Sequence, residues 1–368
     1  MEEKSVIATK ARNGAGWIKL NRPQALHALS KEMIDSLLKT LKEWKEDDTV
    51  AFICLHSEGE KAFCAGGDIR SFYNVKKNAA AYAKSYITAE YTLDYEIHNY
   101  PKPILVYMNG IVMGGGVGLS IGASHRIVTE KTKWAMPEMT IGFFPDVGSS
   151  SFLNNMPGCI GRYLALTANS IDASDTLYTG AADYYIERHN WPELKRAINE
   201  KPWTLHSSGE DINELLKYYC SPVKDTSNIE RHEEQINKHF RFNSLEEIIL
   251  SLKLAAAEGD GWALETVNTM LSKSPTSLKV TLRQLQEGKQ KSLQACFVME
   301  MDLAMNFFSK NEVYEGIRSV LVDKDHKPNW SPSEIEDVSE EDVSSYFYYE
   351  WEDGQSPLKK AFEGEKIV

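Results

Sequence analysis

Residues 108–127 read MNGIVMGGGVGLSIGASHRI, with Gly114, Gly115 and Gly116 in a row and Gly118 and Gly122 close behind. Each glycine adds freedom to the unfolded backbone and brings no side chain to a core. The run follows PILVYMNG, residues 103–110, which reads as a buried strand. It opens an apolar stretch that reads as a helix from about Gly115 to Gly122. A strand that feeds a bare-backbone turn and then a helix is an α/β arrangement. Something at this turn needs main chain without side chains.

Four uses of such a turn can be weighed. A phosphate loop of the Walker type needs a Lys after the glycines, and none follows. A dinucleotide fingerprint needs a small residue where Leu119 stands. GLSIG, residues 118–122, matches the G-x-S-x-G nucleophile elbow. The elbow places its serine on the sharp turn, but here the turn is at Gly114–Gly116 and Ser120 falls inside the helix. The fourth use is an anion site made of backbone N–H groups at a helix start, as in an oxyanion hole. Glycines chosen only for tight helix–strand packing remain the plain alternative. A second loop of the same kind, FCAGGDIR with Gly66 and Gly67, also follows a buried strand and opens a helix at about Asp68. Two such loops can each supply one N–H to the same oxygen.

Outward from these loops the first half alternates strands and helices. GWIKLNRP and VAFICLHS read as strands. Between them, Ile34, Leu37, Leu38, Leu41 and Trp44 follow a helical period behind Ser30, a candidate N-cap. A long helix is expected over 79–99, stopped by Pro101 and Pro103. HRIVTE and KWAMPE read as further strands. Beyond about residue 190 the periodic stretches are helical. The expected organisation is a core over 1–190, a helical region over 191–330 and an acidic, aromatic-containing tail over 331–368.

The 368 residues carry a formal net charge of −12 and a 42% hydrophobic fraction. That suffices for a large core and argues against general nucleic-acid binding, which leaves a basic footprint. No apolar run approaches the ~18 residues that span a bilayer. The acidic start MEEKSVIATK does not read as a signal or transit peptide. Five scattered cysteines without a C-x-x-C suit a reduced, cytoplasmic protein without structural zinc. The histidines form no evident triad or metal cluster; His56, His98 and His125 read as packed or capping residues.

LNRPQALHALS, AFCAGGDI, NGIVMGGGVGLS and AMPEMTIGFFPDVG occur in this order along residues 20–148. Together they resemble the enoyl-CoA hydratase/isomerase superfamily, the crotonases. In detail they resemble its 3-hydroxyisobutyryl-CoA hydrolase branch, and the likeness resumes at EVYEGIRSVLVDKDHKPNW, residues 312–330. The resemblance implies an α/β ClpP/crotonase spiral of ββα units with a mostly helical C-terminal region. It implies an acyl-CoA substrate, with CoA as part of that substrate and no separate cofactor or metal. It also implies a role in valine breakdown and a possible homo-oligomer.

Residue by residue, the resemblance implies an oxyanion hole from the N–H groups of Gly67 and Gly115. Hydratases of the superfamily use two glutamates, and the first position here is Gly118, without a side chain. The second is Glu138. Asp146, in FPDVG, completes the carboxylate pair that the hydrolase branch carries. The apolar IGFFP between the two would raise a carboxyl pKa. From sequence alone Asp146 could equally be a helix N-cap ahead of VGSSSFLNN. Glu90 interrupts the apolar stripe Tyr82, Tyr86, Leu93, Ile97; it is either at an exposed edge or, as the branch implies, against the substrate hydroxyl. Ala25, Ala65 and Ile69 would hold CoA through their backbone, and Lys324 could meet a CoA phosphate or simply sit in a solvated turn. His27 stands where the family usually has Asn. A hydratase or isomerase, or a non-catalytic binding protein on the same fold, are the competing functions.

Overall fold

The computed structural model describes residues 4–75, 79–206 and 208–364; the first three residues of the acidic start and the last four of the tail lie outside it. Its strands, in chain order, are β1 Val6–Lys10, β2 Ala15–Leu20, β3 Phe52–Ser57, β4 Ala62–Cys64, β5 Ile104–Met108, β6 Ile111–Met113, β7 His125–Val128, β8 Lys133–Ala135 and β9 Tyr184–Tyr185. They form two sheets, β1-β2-β3-β5-β7-β9 and β4-β6-β8. Only β1 and β2 pair antiparallel among the described strands.

The strand expected over PILVYMNG is β5 and ends at Met108; Asn109 and Gly110 then turn the chain into the smaller sheet at Ile111, and this further strand, β6, stands between β5 and the glycine triple that PILVYMNG was expected to enter directly. Gly110 has φ 80°, and a Cβ there would lie 2.4 Å from the Lys61 carbonyl oxygen. The pairs β3–β4 and β7–β8 step between sheets in the same way. Strands buried on both faces read as continuous apolar runs, so the step is invisible to periodicity. The helices that follow are α1 Lys31–Lys45, α2 Ile69–Asn74, α3 Ala79–His98 and α4 Gly115–Ile121. The result is the expected ββα spiral. Ser30 caps α1, its Oγ accepting from the Met33 N–H at 3.3 Å.

Two compact units divide the chain: Met1–Gly67, Thr92–Ala135 and Ile171–Glu230 form the first; Asp68–Tyr91, Met136–Ser170 and Arg231–Val368 form the second. They interleave along the chain, whereas the sequence reading divided it at 190 and 330. The first unit holds both sheets and packs Phe52, Leu105, Ile127, Leu194 and Trp203 into one cluster. The second is helical. Its helices Pro275–Gly288 and Leu293–Ser309 bury Leu278, Leu285, Phe297, Met301 and Phe307. The acidic tail belongs to it: Ile335, Val338, Val343, Tyr346, Leu358 and Phe362 are buried. Trp351 Nε1 donates to Asp302 at 2.7 Å. No helix among the described residues is long and apolar enough to cross a membrane.

Candidate active site

The two glycine loops meet in the first unit. Gly66 has φ 101°, a conformation that disfavours any side chain. A Cβ there would lie 3.1 Å from the Met113 carbonyl oxygen and 3.6 Å from the Gly115 nitrogen, so the loops touch backbone to backbone. Gly116 is tighter still: a Cβ would sit 2.3 Å from the Cys64 carbonyl oxygen. Gly115 is the first residue of α4, where a helix leaves its N–H groups without intrahelical acceptors. Among the described residues, no acceptor is found for the Gly67 or Gly115 N–H.

Ser120 lies inside α4, 1% exposed, its hydroxyl donating to the carbonyls of Gly116 and Val117 at 2.9 and 3.0 Å. That is a helix-interior serine and not a nucleophile on a turn. At Gly118 a Cβ would meet the Asp94 carboxylate at 2.7 Å. His27, in place of the family's Asn, accepts the Arg22 N–H on Nδ1 at 3.0 Å. Its Nε2 faces the Glu58 carbonyl at 2.8 Å, so the Nε2–H tautomer is assigned. Burial lowers its pKa, which favours that neutral form.

The carboxylates gather in the second unit. Glu90 is 4% exposed on α3, which rules out the exposed-edge reading. Glu138 opens a 3-10 turn, Glu138–Ile141, three residues past the end of β8 at Ala135, so the strand read over KWAMPE stops short of it. Asp146 is buried on the loop before α5 Ser149–Phe152. It does not cap that helix. Gly148 occupies the cap, and Asp146 offers only its main-chain carbonyl to the Ser149 N–H at 3.0 Å. The loop turns sharply because Val147 and Gly148 are both left-handed, with φ 53° and 86°. For a β-branched valine this is a strained backbone.

That strain is held by neighbours. Gln284 Nε2 donates to the Pro145 carbonyl at 2.7 Å. Glu300 accepts the Gly148 N–H at 2.7 Å, and the Ser150 N–H and hydroxyl at 2.8 and 2.6 Å. The Tyr91 hydroxyl donates to Asp146 Oδ2 at 2.9 Å. Burial, with Asp146 adding its charge, holds Glu90 and Glu138 well above the usual carboxylate range. Burial also pushes Asp146 up to about 7 and Glu300 to about 8, against the hydrogen bonds that each accepts. Carboxyls poised near neutrality suit acid–base work.

The residues expected at CoA fall in both units. In the first, half-buried Ala25 sits in a 3-10 turn, and the next residue's carbonyl, Leu26, accepts the Ala65 N–H at 3.0 Å. In the second, Ile69 begins α2, and the Arg70 guanidinium donates to the Leu321 carbonyl at 3.0 Å, near Lys324. Lys324 is exposed with φ 56° in a turn whose Asp323 and Asp325 pair with Arg318.

Sequence reading passed over Tyr91 and Glu300. Glu300 carried a usable signal, because it is an acid inside the apolar run CFVMEMDLAMNFF, as Glu90 is inside its own stripe. Tyr91 carried none, since a tyrosine in a helix is ordinary core material.

A profile of the family described as enoyl-CoA hydratase/isomerase matches residues 15–347. A Gallus gallus protein named "3-hydroxyisobutyryl-CoA hydrolase, mitochondrial" is 42% identical over 346 residues, 93% of this chain and 88% of that protein. The Homo sapiens protein of the same name is 40% identical over the same shares. Among solved structures, a carnitinyl-CoA dehydratase from Mycobacterium thermoresistibile is similar with a TM-score of 0.88 at 31% identity, covering 97% of this chain and 99% of that one. An enoyl-CoA hydratase from Rhodobacter sphaeroides 2.4.1 has a TM-score of 0.84 at 32% identity, covering 94% and 97%.

Proposed function

The chain belongs to the enoyl-CoA hydratase/isomerase family, and on that premise we propose that it hydrolyses 3-hydroxyisobutyryl-CoA to 3-hydroxyisobutyrate and CoA, in valine breakdown. The observation that carries this reading is the likeness to relatives named for that reaction, about 40% identical over 93% of this chain.

The chemistry asks for two things. Negative charge develops on the thioester carbonyl oxygen as a tetrahedral adduct forms, and the N–H groups of Gly67 and Gly115 are assigned to it; such donors cost no reorganisation during reaction. The adduct and its collapse also need a base and an acid, assigned to Glu138 and Asp146. The ionised member of the pair attacks the thioester carbon or takes the proton of the attacking water. The protonated member gives its proton to the leaving CoA thiolate. Overall one water is consumed, and one acid and one thiol are released. Glu90 is assigned to the substrate hydroxyl. Ala25, Ala65, Ile69 and Lys324 are assigned to CoA, which enters as part of the substrate; no resident cofactor or metal is invoked.

The hydratase reading has support in the names of the two similar structures. Against it stands Gly118, which carries no acid where that chemistry would place one. Thiol release from a panel of acyl-CoAs decides between them. The hydrolase reading expects thiol from 3-hydroxyisobutyryl-CoA. Rapid hydration of crotonyl-CoA with no thiol from 3-hydroxyisobutyryl-CoA would falsify it. The relatives' names are mitochondrial, whereas the sequence reading expected cytoplasm; organelle fractionation distinguishes the two. Gel filtration with light scattering tests the possible homo-oligomer.

A further inference from the structure

Asp146 is pinned at the main chain on both sides, at Pro145 by Gln284 and at Gly148 by Glu300. What those bonds leave free is rotation of its carboxyl. Among the described residues, one side chain reaches that group, the Tyr91 hydroxyl at 2.9 Å. Tyr91 is 0% exposed, one residue along α3 from Glu90, and its ring packs on Phe297 with centroids 5.6 Å apart. Its phenol keeps its proton, because burial and the surrounding acids raise its pKa. It is therefore a fixed donor.

The acids on which the Asp146 charge bears are Glu90 from α3, Glu138 from its 3-10 turn and Glu300 from the helix Leu293–Ser309. Among the described residues, no lysine, arginine or histidine contributes at Glu90, Glu138 or Asp146. A buried acidic group without a cation sorts its protons by hydrogen bonds: a donor favours the ionised carboxylate, and lack of one favours the neutral acid. Asp146 has the Tyr91 donor as well as its own main-chain N–H. Glu138 has only its own main-chain N–H, and its Oε2 finds no hydrogen-bond partner among the described residues.

We propose that Tyr91 is a positioning residue of the hydrolysis, whose hydroxyl aims the Asp146 carboxyl and makes Asp146, ahead of Glu138 and Glu90, the acid that gives up its proton first. This rests on the reading of Asp146 as a reacting group. Tyr91 touches no reacting atom; it acts through Asp146.

Tyr91→Phe keeps the ring on Phe297 and removes the donor. The expected result is a loss of roughly ten- to a hundredfold in kcat on 3-hydroxyisobutyryl-CoA, with KM within about threefold of wild type. The acid limb of the kcat/KM profile moves to higher pH by about half a unit or more. On an Asp146→Asn background the same change has no further effect on kcat. An unmoved acid limb, or losses that multiply in the double variant, overturns the inference. An inactive Asp146→Asn beside a fully active Tyr91→Phe overturns the inference alone. Full activity in Asp146→Asn overturns the reading of Asp146 and the inference with it. A measurement that does not need the Tyr91 variant to fold is infrared titration of the wild type, with the Asp146 band identified by its loss in Asp146→Asn. The band is expected to lose its proton near pH 7 and before the glutamates. A proton that stays on Asp146 after the glutamates have ionised overturns the proposal.

Discussion

The Asp94 carboxylate lies 2.7 Å from where a Cβ on Gly118 would stand, so the space beside that glycine is already filled. The glycine is more than a missing acid. Asp94 is fully buried, and a side chain at 118 must displace it. Gly118→Ala is expected to destabilise by about 1–3 kcal/mol, the usual cost of overpacking. Gly118→Glu adds a like charge and is expected to be worse, with no gain of hydratase activity. Thermal unfolding and crotonyl-CoA hydration check both; a stable, hydrating Gly118→Glu protein contradicts the argument.

Gly115 occupies the first helical position of α4, where proline is tolerated because the N–H there has no helical partner. Gly115→Pro therefore deletes the proposed oxyanion donor at a position that suits proline. A loss on the order of 10²–10³ in kcat is expected, with CoA binding retained by calorimetry. Ser120→Ala, which removes only a hydroxyl bonded to its own helix, is expected to keep most activity. Wild-type turnover in Gly115→Pro is the result that sinks the assignment.

Glu138→Gln and Asp146→Asn keep shape and remove an ionisable group. Each is expected to lower kcat by about 10²–10⁴. The double variant should fall little further than the worse single one, because both serve one transition state. Steady-state kinetics on the four proteins gives the answer, and losses that multiply would mean two independent roles.

Glu90→Gln is expected to discriminate between substrates. With 3-hydroxyisobutyryl-CoA, kcat/KM should drop by about tenfold, the worth of a buried hydrogen bond. Isobutyryl-CoA, which lacks the hydroxyl, should be affected much less. Equal losses on both substrates would move Glu90 from recognition to chemistry.

The same carboxyls make stability fall with rising pH. Glu90, Glu138, Asp146 and Glu300 all bind protons more tightly folded than unfolded. Above the ordinary carboxylate range the native state therefore holds more protons than the unfolded chain. Stability declines as pH rises through about 7 for Asp146 and about 8 for Glu300. Asp146→Asn removes one such group, and its amide oxygen can still accept from Tyr91. At pH 8 it is expected to melt at least about 2 °C above wild type and to show a shallower decline between pH 5 and 8.5. Identical slopes in the two proteins would rule out buried, proton-holding Asp146.

Much of this protein is legible in its sequence because the deciding features are local. The glycine loops, the Ser30 cap, the 3.6-residue stripes and the placing of Ser120 inside a helix depend on a few adjacent residues. The motif set that contains Gly67, Gly115, Glu138 and Asp146 is likewise a matter of order and spacing. Tertiary structure decided what depends on neighbours distant along the chain. PILVYMNG holds one strand and ends in the turn at Gly110, which carries the chain into a second strand, Ile111–Met113, in the other sheet; apolar periodicity is blind to which sheet a strand joins. Glu90 became buried through the packing of α3 in the fold, and Asp146 was released from capping because Gly148 took the cap with Glu300 bonded to its N–H from 152 residues away. The pairing of Tyr91 with Asp146 spans 55 residues. A hydrogen bond of that separation follows from packing alone, and it determines where the proton sits in a group of acids whose identities the sequence already displayed.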